Sequence, residues 1–300
     1  MADLDDLLLK TSRTFALAIP LLPEPTRESV SLAYLLFRIA DTFEDATEWP
    51  RERRLKALED FARAVEAPEE LAALTRGWLD EPPTRHEGYL ELLRETPAVV
   101  SRLDTLAPGV RRILIHHTQR TSRGMADVVA RADAQGHFRL QTLQDLKDYC
   151  YVVAGIVGEL LTEVFVHDAP SLQAVKAELE ARMVAFGEGL QLVNIVKDAG
   201  DDAKDGRAYL PKAVERREVF ALASADLDRA AEYVEALQRG GAPRGFLAFT
   251  ALPVMLARAA LRAVEQRGPG AKVPRDHVSA LYQTLESTLD QGGSLRSATA

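Results

Sequence analysis

Leu32-Ala-Tyr-Leu-Leu-Phe-Arg-Ile-Ala-Asp-Thr-Phe-Glu-Asp45 is an apolar run that ends in three acids within five residues. It lies inside a long helix candidate, Arg27 to Ala46, that is very apolar between Val30 and Ala40. Reading outward, the chain is helical nearly throughout. Leucine, alanine, glutamate and arginine dominate, all good helix formers, and runs of alternating β-branched residues are scarce. Breakers divide the helices. Leu4 to Leu22 stops at Pro23 and Pro25. Glu52 to Ala67 ends before Pro68, and Glu70 to Trp78 before Pro82-Pro83. Glu87 to Leu93, Ala98 to Ala107 and Val110 to Asp133 follow, then Leu143 to Phe165 and Leu172 to Asp205. Asp226 to Gln238, Ala242 to Glu265 (with a kink expected at Pro253) and Ser279 to Leu289 close the series. No fixed-period repeat or long linker interrupts it, so the expectation is one all-α domain over 1–300, with a small, polar tail that frays from about residue 291.

The composition fits a folded globular chain. Of 300 residues, 47% are apolar and 27% charged, which excludes a disordered or fibrous protein. A balance of 37 basic against 45 acidic residues gives a formal charge of -8, which argues against nucleic-acid binding. The single cysteine, Cys150, rules out an intrachain disulfide framework and fits a reducing compartment. The apolar stretch 13–22 follows three aspartates rather than positive charge, so it reads as a mature helix and not a signal peptide. Nothing reaches 18 consecutive apolar residues, and no transmembrane helix is expected.

A second acidic cluster matches the first. Leu190-Gln-Leu-Val-Asn-Ile-Val-Lys-Asp-Ala-Gly-Asp-Asp202 again runs from apolar chain into acids. In each cluster two aspartates stand at i and i+4, Asp41 with Asp45 and Asp198 with Asp202, which a helix places on one face, one turn apart. Adjacent carboxylates repel, and a hard cation such as Mg²⁺, held by a few carboxylates and completed by water and phosphate oxygens, would join them. If the two helices face one another, each pair lines one wall of a diphosphate site. The alternative for either cluster is an exposed helix end. Tyr34 and Arg38 share the first face; Arg38 can fork onto diphosphate oxygens or pair with Glu44 or Asp45. Gln191 and Asn194 precede the second cluster, and Lys197, Lys204 and Arg207 lie close to it. The stretch 205–211 could cover charged phosphates, as could Ser12-Arg13. His116-His117 lack a zinc pattern, no P-loop, dinucleotide fingerprint or G-x-S-x-G element occurs, and Cys150 reads as a buried small hydrophobe.

Taken together, Ser12-Arg-Thr-Phe15, Tyr34-Leu-Leu-Phe-Arg38, Asp41-Thr-Phe-Glu-Asp45, Tyr149-Cys-Tyr-Val-Val-Ala-Gly-Ile-Val-Gly158, Asn194-Ile-Val-Lys-Asp-Ala-Gly-Asp-Asp202 and Gly206-Arg-Ala-Tyr-Leu-Pro211 resemble, in order, the motifs of the squalene and phytoene synthase family, head-to-head isoprenyl diphosphate synthases. The resemblance covers roughly residues 7 to 211. It implies a single-domain isoprenoid synthase fold, helices around a deep central cavity. It implies Mg²⁺, with Mn²⁺ as a substitute, on Asp41, Glu44 and Asp45 and on Asn194, Asp198 and Asp202. Arg38 and Arg207 would hold diphosphate beside Tyr34, and Tyr149 would stand near the reacting carbons. Val153, Gly155 and Gly158 match a stretch that lines the prenyl cavity, where glycine would leave room for a branched tail. Ser12, Arg13, Phe15, Gln191 and Tyr209 complete the substrate contacts. The chemistry implied is ionisation of one prenyl diphosphate, attack by the double bond of a second, and a cyclopropylcarbinyl diphosphate that rearranges to a 1-1' product.

Asp-Thr-Phe-Glu-Asp at 41–45 is closer to the squalene synthase pattern than to the Asp-Asp-x-x-Asp of phytoene synthases. The 203–211 loop looks at least as much like the bacterial carotenoid enzymes. The pattern is closest to a bacterial squalene synthase, which implies two farnesyl diphosphates as substrates and NADPH as reductant, with Lys204 and Arg207 as its candidate contacts. Phytoene or dehydrosqualene synthesis is the alternative. A cytoplasmic protein is expected, a monomer or weak homo-oligomer, with peripheral membrane contact left open.

Overall fold

A computed structural model describes residues 3–12, 14–132, 138–204 and 207–299; for 138, 201–204 and 207 the backbone alone is described. The fold is all-α, as the sequence predicts. Its only sheet among the described residues is the pairing of two two-residue strands, β1 (Phe138–Arg139) and β2 (Arg207–Ala208). The chain forms two compact units, Met1–Ile19 with Glu24–Phe138 and Pro20–Pro23 with Arg139–Ala300.

The first unit holds α1 (Leu4–Thr11), α2 (Phe15–Ala18), α3 (Thr26–Glu44), α4 (Arg51–Ala64), α5 (Leu71–Asp80), α6 (Glu87–Arg94), α7 (Thr96–Ser101) and α8 (Pro108–Ala130). Helix α3 starts beside Pro25 and buries Leu32, Leu35, Leu36 and Ile39 completely. Phe43, near its end, joins an aromatic cluster with Trp78 at 4.6 Å and Trp49 at 6.0 Å between ring centres. The expected helix 4–22 is broken. Ser12 is extended (φ -135°, ψ 146°), and its hydroxyl accepts the amide of Phe15 at 3.0 Å, so a serine that can cap a new helix interrupts the old one.

The second unit holds α9 (Leu143–Cys150), α10 (Ile156–Asp168), α11 (Lys176–Glu180), α12 (Met183–Lys204), α13 (Arg216–Arg239), α14 (Arg244–Arg267), α15 (Arg275–Asp290) and α16 (Leu295–Thr299). Thr142 and Asp145 close a reciprocal capping box at the start of α9. Between α9 and α10 lies a π turn, Tyr151–Gly155, so the predicted helix 143–165 is one rod with an extra residue inserted. The predicted helix 172–205 is broken at 181–182, and α13 begins ten residues before the predicted Asp226. Helix α14 runs through Pro253, which forgoes one intrahelical hydrogen bond, and ends at Gly268, whose φ of 88° suits a residue without a side chain. Phe165, stacked on Phe246 at 4.3 Å, and Tyr233, bonded to Thr162 at 2.9 Å, fill the core.

The tail expected to fray carries α16, in which Leu295 and Thr299 are fully buried and Gln238 holds both the Gly293 carbonyl and the Leu295 amide. The stretches 143–168 and 244–267 are long and apolar enough to cross a bilayer, with mean hydropathies of 1.6 and 1.5 over 18 residues, although neither has 18 apolar residues in a row. More than half of each such window is buried inside the protein, as expected of core helices.

Candidate active site

The first acidic cluster is the last turn of α3. Three acids at a helix C-terminus oppose the macrodipole, which favours cations there. They also differ in exposure. Glu44 is buried and its backbone carbonyl accepts from Arg54, whereas Asp41 is half-buried and Asp45, the C-cap, is exposed. Asp41 and Asp45 therefore form the outward pair, and Glu44 is drawn toward the core. Burial first, and then repulsion from Asp45, push the Asp41 carboxyl up to about 6 against the pull of Arg38.

Arg38 is built into this turn from several sides. Its Nη1 lies 3.1 Å from Asp41 Oδ2, and its Nε and Nη2 both lie 3.3 Å from the Tyr34 hydroxyl. Tyr34 in turn donates to the Thr11 carbonyl at 2.8 Å, and Phe15 packs on it at 5.7 Å. The guanidinium lies 5.5 Å from the ring centres of both Tyr34 and Tyr89. Burial works against the cation, but Asp41 and the two tyrosines outweigh it and raise its pKa. Sequence reasoning missed Tyr89, which α6 delivers from 51 residues away; the sole aromatic of a short amphipathic helix was the only signal. Ser12 and Phe15 are thus joined to Tyr34, while the Arg13 reading lies outside the described residues.

In the second unit Tyr149 is buried and stacks on Tyr209 with ring centres 4.7 Å apart, so two predicted contacts from distant motifs meet. On α12, Lys197 Nζ lies 3.2 Å from Asn194 Oδ1 and 3.3 Å from Asp198 Oδ2, a local cation beside the second cluster. Gln191 and Val153 are half-buried and Asn194 is exposed. The side chains of Asp202, Lys204 and Arg207 lie outside the described residues. Among the described residues no three His, Cys, Asp or Glu side chains form a metal cage.

The glycines of the 149–158 motif have a packing use. A Cβ on Gly158 would overlap the Met183 carbonyl oxygen, and one on Gly155 would sit 2.8 Å from Tyr151 Cδ2 and 3.2 Å from Val184 Cγ1. Gly187 on α12 returns the fit, since a Cβ there would overlap the Ala154 carbonyl. The missing side chains make room for a close helix crossing.

Glu188, on the same stretch of α12, was not singled out from the sequence. Its carboxyl is pushed from the ordinary 4.5 to about 7, chiefly by burial and then by Asp226, with Asp148 adding to the rise and Lys147 and Arg229 opposing it; Asp226 is raised as well. A carboxyl whose folded pKa is raised stabilises the fold below its unfolded pKa, and that stability is lost as pH rises through about 7. After allowance for screening, the loss is about 1–2 kcal/mol. Glu188→Gln should flatten the denaturation free energy between about pH 4.5 and 7 and raise it above pH 7. A variant as pH-sensitive as the parent would refute the assignment.

Comparison with known proteins gives this arrangement a context. Residues 8–218 match the family profile described as squalene/phytoene synthase. The squalene synthase of Schizosaccharomyces pombe is 32% identical over 211 residues, 69% of this chain and 43% of that protein. That of Yarrowia lipolytica is 31% identical over 218 residues, 70% of this chain and 45% of that protein. The chain thus matches less than half the length of these curated relatives. Among solved structures, a ligand complex of TcSQS superposes with a TM-score of 0.78 at 22% identity, covering 99% of this chain and 96% of that one. A dehydrosqualene synthase complex gives 0.61 at 22% identity, covering 96% and 95%. Those two likenesses are of fold; the profile match and the sequence relatives establish that the chain belongs to the squalene/phytoene synthase family.

Proposed function

We propose that this chain joins two molecules of farnesyl diphosphate head to head, through a cyclopropylcarbinyl diphosphate, and that reduction by NADPH then yields squalene. The observation that carries the reading is the crowded end of α3, where Asp41 and Asp45 share one turn with Arg38 as the cation on Asp41. Such a turn is costly unless a ligand supplies positive charge, and its hard oxygen donors suit Mg²⁺. Asp41 and Asp45 would hold one metal ion and, on α12, Asp198 with Asn194 another, and such ions when bound neutralise a diphosphate leaving group. Arg38 binds diphosphate oxygens in the same place, and Tyr34 and Tyr89 orient it. Tyr149, held flat by Tyr209, offers an aromatic face to a passing allylic cation. The named squalene synthase relatives support farnesyl diphosphate as the substrate.

The test is product analysis by mass spectrometry on purified protein given C15 or C20 prenyl diphosphate with Mg²⁺, with and without NADPH. Squalene from the C15 substrate only when NADPH is present is the expected result. Phytoene from C20, or dehydrosqualene regardless of NADPH, would replace this reading within the family. Diphosphate release should fall by about 10²-fold or more in both Asp41→Ala and Asp198→Ala; unchanged release in both would end the metal assignment.

A further inference from the structure

A groove of about 560 Å³ lies on the second unit along α13 and α14, lined by Arg216, Arg217, Phe220 and Ser224 from the first helix and by Arg258 and Arg262 from the second. None of these residues belongs to the candidate active site. Four guanidinium groups line it against one acid, Glu265, in a protein whose net charge is -8.

The arginines are unevenly neutralised. Arg217 pairs with Glu215 at 2.7 Å and Arg258 with Asp228 at 2.8 Å. Among the described residues Arg216 reaches only a neutral partner, the Val264 carbonyl at 3.3 Å, and it lies over the Phe220 ring at 5.0 Å. Arg262 is exposed and has no carboxylate partner among the described residues. Arg258 is 12% exposed, and its Nε is buried with no hydrogen-bond partner. A buried donor left without an acceptor is costly. Arg216 and Arg217 are also the first two residues of a 24-residue helix, where the macrodipole disfavours cations and favours an anion.

We propose that this groove binds a diphosphate group, either free or as part of a nucleoside diphosphate. A diphosphate presents several acceptor oxygens to a fan of guanidinium forks, the geometry arginine serves best. The volume lies within the range of small-molecule sites and exceeds what a bare phosphate needs, which leaves room for a nucleoside beside Phe220.

Calorimetric titration of the full chain in EDTA, with pyrophosphate in one arm and ADP in the other, tests the site without engaging the Mg²⁺-dependent one. Binding that weakens about tenfold in Arg262→Ala or Arg216→Ala, falls further in the double variant, and persists in Arg38→Ala is the expected result. Both replaced arginines are exposed, so folding should survive. ADP at least tenfold tighter than pyrophosphate assigns a nucleotide; equal affinities assign free diphosphate. The proposal is overturned by no binding to the parent protein, by equal binding in the double variant, or by loss in Arg38→Ala alone. It is also overturned if phosphatidylserine vesicles, and neither probe, bind through Arg216 and Arg262.

Discussion

Arg38→Ala is expected to slow diphosphate release from farnesyl diphosphate by about 10³-fold, at the upper end of what loss of one preorganised donor costs. The guanidinium is the cation paired with the Asp41 carboxylate, and four contacts hold its orientation: Asp41, the Tyr34 hydroxyl and the two tyrosine faces. Its removal acts twice. In the proposed role the leaving group would lose an arginine partner, and Asp41 keeps its burial and its repulsion from Asp45 while losing its counter-charge. Arg38→Lys restores charge without the fork and should recover only part of the loss. Single-turnover release, measured with metal at saturation, separates the two effects. A variant that regains full rate at high Mg²⁺ would show that Arg38 serves metal binding alone, and an unchanged rate would remove it from the site.

The largest expected effect on stability is that of Gly187→Ala. The added methyl would overlap the Ala154 carbonyl, and backbone on both sides of the crossing leaves no flexible side chain to yield. A loss of about 3 kcal/mol or more follows from overpacking at a contact of this kind. Gly77→Ala provides the contrast. It sits in the middle of α5 with nothing within 4 Å of its would-be Cβ, so the same change should gain about 0.5–1 kcal/mol. Urea denaturation of the two variants beside the parent decides the matter. A Gly187→Ala protein as stable as the parent would mean that α12 can move away from the π turn at little cost.

Most helices were legible because their signals are local: apolar runs, good helix formers and prolines between them. What was not legible depends on competition or on distance. Ser12 is a poor breaker by composition, yet its hydroxyl offers the backbone another partner and splits the predicted helix 4–22. Helix α13 starts at Arg216 because a Glu215–Glu218 capping box and buried Val219 and Ala223 extend it, a pattern too sparse to read beside four charged residues. At the candidate site, Arg38, Asp41 and Tyr34 share a helix and could be grouped by spacing. Tyr89 and the Glu188–Asp226 pair are assembled only by packing. The glycines show the opposite limit: their presence was plain, but only the placement of α12 shows what their missing side chains accommodate.

The π turn at 151–155 holds one residue of slack in length. It uses one residue more than an α turn for nearly the same rotation and rise, and so keeps Tyr149 facing Tyr209 and Gly158 facing the Met183 carbonyl. Deleting one residue within 151–154 would restore an ordinary helix and leave both in place. Deleting Ile156 or Val157 from the ordinary helix beyond it would instead turn Gly158 away by roughly 100° and drive Glu159 against α12 where only glycine fits. Relatives that keep this crossing should therefore tolerate a gap in the π turn but none between it and the glycine that faces the Met183 carbonyl.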